Sequence, residues 1–197
     1  QQWLHKLLRH AASSELSTAV TAWCSAAATA ETTYGHIKCW DTSAVTDMSN
    51  LFNGDATNPY CSTVSTFNDD ISGWDVSSVT NMEGMFRDAS DFNGDISLWN
   101  TSSVTSLQRM FEGANSFNGV ISSWDTSRVT NMGEMVKNAW VFNRDLSSWD
   151  VSRVTSMYTM FDSATSFNAD LSNCSPQRTS GADHPRGFSD HPSGPSE

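Results

Sequence analysis

Basic residues are scarce in this 197-residue chain, which has 11 Lys and Arg against 22 Asp and Glu and a formal charge of −11. So acidic a chain repels phosphate backbones and anionic lipid, which argues against sequence-independent nucleic-acid binding and against docking on a charged membrane. Long apolar runs are missing as well. No stretch approaches the roughly 20 residues of a bilayer span, and none resembles the hydrophobic core of a secretory leader. The first residue is Gln1 rather than Met, which leaves room for a leader removed ahead of it. Histidine is confined to His5, His10, His36, His184 and His191, so the repeated part of the chain described below has no imidazole base beyond its first coil. Proline is nearly absent before residue 176. Pro59 stands alone there, and the other four fall between Ser175 and Glu197 among Gly, Ser and His, a composition that predicts a disordered tail over 175–197.

What the chain does have is a period. Trp74, Trp99, Trp124 and Trp149 fall 25 residues apart, with Trp40 ahead of them, and each brings the same neighbours. Ile37, Ile71, Ile96, Ile121, Leu146 and Leu171 head the coils. Val45, Val79, Val104, Val129 and Val154 follow the tryptophans, then Thr46, Thr80, Thr105, Thr130 and Thr155, then Met48, Met82, Leu107, Met132 and Met157. Phe67, Phe92, Phe117, Phe142 and Phe167 close the coils, each followed by an asparagine: Asn68, Asn93, Asn118, Asn143 and Asn168. All eight methionines and nine of the ten phenylalanines lie in this array, which places the core there. A unit of this length cannot bury its own apolar face and must stack on its neighbours, so the pattern predicts a solenoid over residues 36–174.

Within one coil, Met82, Met85, Phe86 and Ala89 recur at i, i+3, i+4 and i+7, the spacing of one helix face. Thr80 with Glu83, and Thr105 with Gln108, have the spacing of capping boxes. The segment Asp95–Trp99 reads as a short strand that pairs with its copies in a parallel ladder. The predicted fold is therefore an α/β repeat solenoid, leucine-rich-repeat-like, with short parallel strands on one face and short helices on the other. The asparagines are expected to stack at one corner and bond the backbone of the neighbouring coil. Ahead of the array, Ser13 or Ser14 can cap a helix in which Leu16, Ala19, Val20, Trp23 and Ala27 share a face, giving an N-terminal helical cap over residues 1–35.

Two breaks interrupt the period. The step from Trp40 to Trp74 is 34 residues, which marks a loop insertion near 53–66 containing Asn58, Pro59 and Cys61. In the last coil Cys174 stands where Trp is expected. Of the four cysteines, Cys39 and Cys174 lie some five coils apart, about 24 Å at strand spacing, and should not pair. Cys61 with Cys39, or with Cys24, is the candidate bridge, which would suit an oxidising compartment; four free thiols are the alternative.

The unit Phe67-Asn-Asp-Asp-Ile-Ser-Gly-Trp-Asp-Val-Ser-Ser-Val-Thr-Asn-Met-Glu-Gly-Met-Phe-Arg-Asp-Ala89 resembles the BspA-type leucine-rich-repeat surface proteins, and the likeness runs from Tyr34 to Leu171. The resemblance implies a secreted or cell-surface protein used in adhesion and protein binding, with no catalytic residues and no cofactor. Nothing in the family pattern matches the segment after Cys174.

The repeated polar residues admit several uses. Asp41, Asp75, Asp125 and Asp150 follow Trp, and Asp70, Asp95, Asp145 and Asp170 precede the Ile/Leu column. Turn capping through Asp-x-Ser is the favoured reading, ahead of calcium at the corners or paired catalytic carboxylates. The tryptophans are expected in the core rather than on an exposed sugar platform. Ser43, Ser77, Ser102, Ser127 and Ser152, beside Thr42, Val76, Thr101, Thr126 and Val151, form rows that could match a crystal such as ice, although Arg128 and Arg153 interrupt them. Phe161, Phe167 and Leu171 face no further coil and form a candidate partner edge. Taken together, the sequence predicts a non-enzymatic module, extracellular or on the cell surface, that binds a protein or glycan; a structural accessory subunit of a larger assembly is the alternative.

Overall fold

The computed structural model describes residues 13–54, 61, 64–169 and 171. Residues 1–12, the Asn58-Pro59 part of the insertion, Asp170, Cys174 and the tail 175–197 lie outside these.

Helix α1 spans Ser13–Tyr34 and is interrupted at Ala26, whose φ of −162° and ψ of 83° are not helical. The break rotates the buried face. Leu16, Ala19, Val20 and Trp23 are buried before it, but Ala30 rather than the expected Ala27 is buried after it. Gly35 ends the helix in the left-handed region at φ 74°, donating its N–H to the Glu31 carbonyl at 2.9 Å, a stop that a side chain at this position would strain. Ser13 ties the helix to the repeats, its hydroxyl oxygen accepting the N–H of Asp47 at 3.3 Å. Trp23 packs edge-on against Trp40 at 5.8 Å.

The expected alternation of strands and helices is not what the repeats build. Among the described residues α1 is the sole α-helix, the other helical pieces being single 3-10 turns at Ile37–Cys39 and Val64–Thr66. No strand forms among them. The parallel pairing reduces to isolated bridges that run Asp47–Asn81–Ser106–Asn131–Ser156. The chain is therefore not an α/β solenoid with parallel strands; its repeats are stacked turns.

The reason lies in two left-handed positions per repeat. Gly84, Arg109, Glu134 and Thr159 form one such column, and Asp88, Gly113, Asn138 and Ser163 the other, with φ between 45° and 70°. Each sits third in a four-residue turn. Met85 donates its N–H to Met82 O at 3.2 Å and Ala89 to Phe86 O at 3.1 Å, with the left-handed residue just before the donor, as a type II turn requires. A helix would send every N–H back along its own chain. Here alternate N–H groups point sideways instead: Met82, Gly84, Phe86 and Asp88 donate to the carbonyls of Ser106, Gln108, Met110 and Glu112 in the next coil at 2.7–3.1 Å.

That geometry also overturns the capping role of Thr80 and Thr105. With no helix to cap, their hydroxyls donate across the coils, Thr80 to Thr46 O at 3.1 Å and Thr105 to Thr80 O at 2.9 Å, and their N–H groups donate to the same carbonyls at 2.8 Å. Glu83, the other half of the expected capping box, has its N–H taken by the Asn81 side chain at 3.1 Å.

Inside, like stacks on like. Phe67, Phe92, Phe117, Phe142 and Phe167 follow one another at centroid steps of 6.0 Å. Phe52, Phe86 and Phe111 form a parallel column with steps of 5.6 and 5.7 Å, and Phe86 lies only 3.9 Å from Phe92. Met82, Met85, Met110, Met132 and Met135 fill the space beside them, each fully buried. One apolar core therefore runs through the whole stack.

Candidate binding surface

The residues repeated in every coil are spent on holding coil to coil. Trp40, Trp74, Trp99, Trp124 and Trp149 are at most 5% exposed, so no row of indoles is available to a sugar. Each indole N–H reaches back to a carbonyl: Trp74 to Ile37 at 2.9 Å, Trp124 to Ile96 at 3.1 Å and Trp149 to Ile121 at 3.0 Å. Burial of the ring is thus accompanied by satisfaction of its one donor. Asn68, Asn93, Asn118 and Asn143 present Oδ1 to the N–H of Asn93, Asn118, Asn143 and Asn168 in turn, at 2.9–3.1 Å.

The carboxylates are occupied in the same way. Oδ1 of Asp70 accepts both the N–H and the hydroxyl of Ser72, at 3.1 and 2.7 Å, and Asp95 does the same with Ser97. Asp125, Asp145 and Asp150 accept the N–H of Ser127, Ser147 and Ser152. These bonds favour the ionised form and hold all five carboxyls below the usual range, the serine hydroxyl being the leading cause at each except Asp145, where the serine N–H leads. No three His, Cys, Asp or Glu among the described residues come together as a metal would need. The crystal-matching rows lose half their members, since Thr42, Val76, Thr101, Thr126 and Val151 are all buried. Thr42, Thr101 and Thr126 donate their hydroxyls to the carbonyls of Asp75, Asp125 and Asp150.

One charged cluster escaped the sequence reading. Arg87 Nε lies 3.0 Å from Glu112 Oε2, Arg109 reaches Glu134 Oε1 at 2.9 Å, and Lys137 lies 3.5 Å from Glu134 Oε2. The ladder climbs three coils along the turn face. Burial pushes the Glu112 carboxyl up despite its arginines, whereas the hydrogen bond from Arg109 holds Glu134 down and Arg109 up. Its signal was in the columns: positions 87, 109, 112, 134 and 137 are all charged.

Cys61 is bonded to Cys24 of α1 across a sequence separation of 37, and Cys39 is free and exposed. The pairing of Cys39 with Cys61 is therefore not formed; the bridge takes the other partner that the spacing left open, because α1 lies against the insertion. A cleft of about 220 Å³ opens beside this bridge, lined by Trp23, Ala26 and Asp69 among others. Trp23 donates its indole N–H to Asp69 there at 2.7 Å. Large apolar side chains are also exposed at Leu98, Val120, Tyr158 and the adjacent pair Trp140 and Val141.

The last coil differs from all the others. Phe161 and Leu171 are only half-buried, and Phe167 stacks on Phe161 at 4.1 Å with 8% of its surface exposed. In the coil before it, Met132, Glu134, Val136 and Asn138 donate their N–H groups to Ser156, Tyr158, Met160 and Asp162 at 2.8–3.1 Å. The corresponding N–H groups of Met157, Thr159, Phe161 and Ser163 meet no acceptor among the described residues. Thr159 Oγ1 is buried and likewise without a partner.

The sequence model of a protein family described as "Mycoplasma protein of unknown function, DUF285" matches residues 24–120 and again residues 94–183. The two matches together cover most of the chain, which belongs to this family. No curated protein and no solved structure matches it. Among the described residues no helix is long and apolar enough to cross a membrane.

Proposed function

We propose, from the premise of that family membership, that the chain is a non-enzymatic binding module of the BspA-like repeat kind, extracellular or on a cell surface, that engages a protein or glycan partner. One observation carries the reading: in coil after coil the repeated Trp, Asn, Thr and Asp side chains are taken up in bonds within and between coils. A group repeated and bonded in every coil builds a frame, and recognition then falls to what differs between coils. Those differences are the charged ladder, the exposed apolar side chains and the open last coil. The disulfide between Cys24 and Cys61 supports an oxidising location.

The test is surface plasmon resonance of the full chain against arrayed glycans and extracellular matrix proteins, with generic hydrolase substrates run alongside. Saturable binding to one class with no turnover is expected. Turnover of a substrate, or no binding to either class, would overturn the reading. The alternative of a structural accessory subunit is favoured by the unpaired N–H row of the last coil. It predicts that the chain elutes from size exclusion with a larger complex in a native extract, where the module reading predicts a monomer.

A further inference from the structure

Every coil of the stack is polar in its hydrogen bonding. On the turn segment one side offers only N–H groups to the following coil, as at Met132 to Asn138, and the other offers only carbonyls to the preceding one, as at Asn81, Glu83, Met85 and Arg87. Successive amides in alternating right- and left-handed conformation are a known device for gathering donors on one side. The turn segments therefore have a donor end and an acceptor end, although the threonine beside each runs the other way, Thr155 donating its N–H back to Thr130 O at 2.8 Å. The acceptor end lies with the first coil, where α1 sits, held by Ser13 on Asp47, by Trp23 on Trp40 and by the disulfide. The donor end meets no acceptor among the described residues.

Resting on the binding-module reading, we propose that this donor end is a docking edge for a partner polypeptide. The partner lays a segment along residues 157–163 and offers a main-chain carbonyl at every second residue, as this chain's own residues 81, 83, 85 and 87 do for the first coil. Two features select that occupant. An edge with four donors and no acceptor cannot pair with its own copy, because donor would face donor, and α1 lies against the first coil at the other end of the copy. A segment in the tandem-turn conformation of residues 81–88, with left-handed residues at 84 and 88, turns carbonyls and no N–H groups to one side at alternate residues, as the four donors require, whereas an extended strand would bring its own N–H groups against them. Phe161 and Leu171 supply the apolar floor on which its side chains rest. Amides open to solvent beside such a floor can exchange water for a partner's carbonyls.

Residue-resolved hydrogen exchange on the full chain tests this, with a synthetic peptide of residues 79–93 as the acceptor-bearing probe. In the free chain the amides of Met157, Thr159, Phe161 and Ser163 should exchange about 100-fold or more faster than those of Met132, Glu134, Val136 and Asn138. Saturating peptide should slow the four by about tenfold or more, and Phe161→Ser and Leu171→Ser should each abolish that slowing. Unchanged protection at Met132 to Asn138 in both variants verifies that they are folded. Amides already protected in the free chain, a self-associated species whose dissociation exposes them, or peptide without effect at millimolar concentration would overturn the proposal. Binding of a matrix protein or glycan that persists with the four amides still fast would remove the docking edge and leave the module reading standing.

Discussion

Replacing Phe111 with Ala deletes a fully buried ring that lies 3.8 Å from Phe117, 5.7 Å from Phe86 and 6.2 Å from Trp124. The neighbours belong to three coils whose backbones are tied by lateral hydrogen bonds above and below, so the hole has little freedom to collapse. A Phe→Ala change at such a site costs about 3–5 kcal/mol from lost transfer energy and the residual cavity. Phe161 occupies the same column but is half-buried and stacks on Phe167 alone, so Phe161→Ala should cost about 1–2 kcal/mol. Urea unfolding followed by tryptophan fluorescence measures both, because the indoles of Trp99, Trp124 and Trp149 report on the core directly. A larger shift in midpoint for Phe111→Ala at unchanged denaturant slope is expected. If Phe161→Ala proves as damaging as Phe111→Ala, the last coil is covered and the account of an open end fails with it.

Asn118→Ala removes the acceptor of the Asn143 N–H and should cost about 1 kcal/mol, with faster hydrogen exchange at Asn143 as its local signature. Reducing the Cys24–Cys61 bridge frees a loop with a 37-residue separation, worth about 4 kcal/mol at most in chain entropy, and should release α1 with a red shift of Trp23 emission; an unchanged melting curve would refute the tether. Asp70 and Asp95 titrate below their unfolded value, so the stability they supply is present above about pH 4 and is lost as pH falls through the folded value. Glu112 works in the opposite sense, since its raised value makes protonation favour the fold. Net loss of stability in urea between pH 7 and pH 3 is expected, and Ser72→Ala with Ser97→Ala should flatten it; a wild-type slope in that double variant would sink the assignment.

The period, the identity of each column and the place of the insertion were open to reading because each rests on many copies. A column of Phe or Trp that recurs every 25 residues constrains the answer five times over, and the rings indeed step at 6.0 Å. The asparagine ladder was legible for the same reason. The disulfide was not, since spacing alone leaves Cys61 two partners and only the position of α1 against the insertion decides between them. The kink at Ala26 has no sequence signal at all: Ser25, Ala26 and Ala27 are unremarkable in a helix, and the buried face changes there nonetheless.

The helix expected over Met82–Ala89 failed for a more general reason. The i, i+3, i+4, i+7 spacing reports which side chains share a face, and two tandem turns with left-handed residues at 84 and 88 put the same four on the same side. What separates the two is where the N–H groups go, and for that the informative positions are the left-handed ones. Gly84 in one column, and Asp88, Gly113 and Asn138 in the other, are residues that tolerate this conformation, and they should have weighed against a helix. Arg109 and Glu134 at positions equivalent to Gly84 hid the signal, because a helix accepts both readily while the left-handed region does not, and Thr159 gave no left-handed signal either. Those exceptions hold their places through neighbours: Arg109 and Glu134 bond each other across coils at 2.9 Å. Thr159 has no such partner, and it is the β-branched residue of the set, left in a strained conformation on the one coil whose donors are open. Strain and unmet donors thus coincide on the last coil among the described residues.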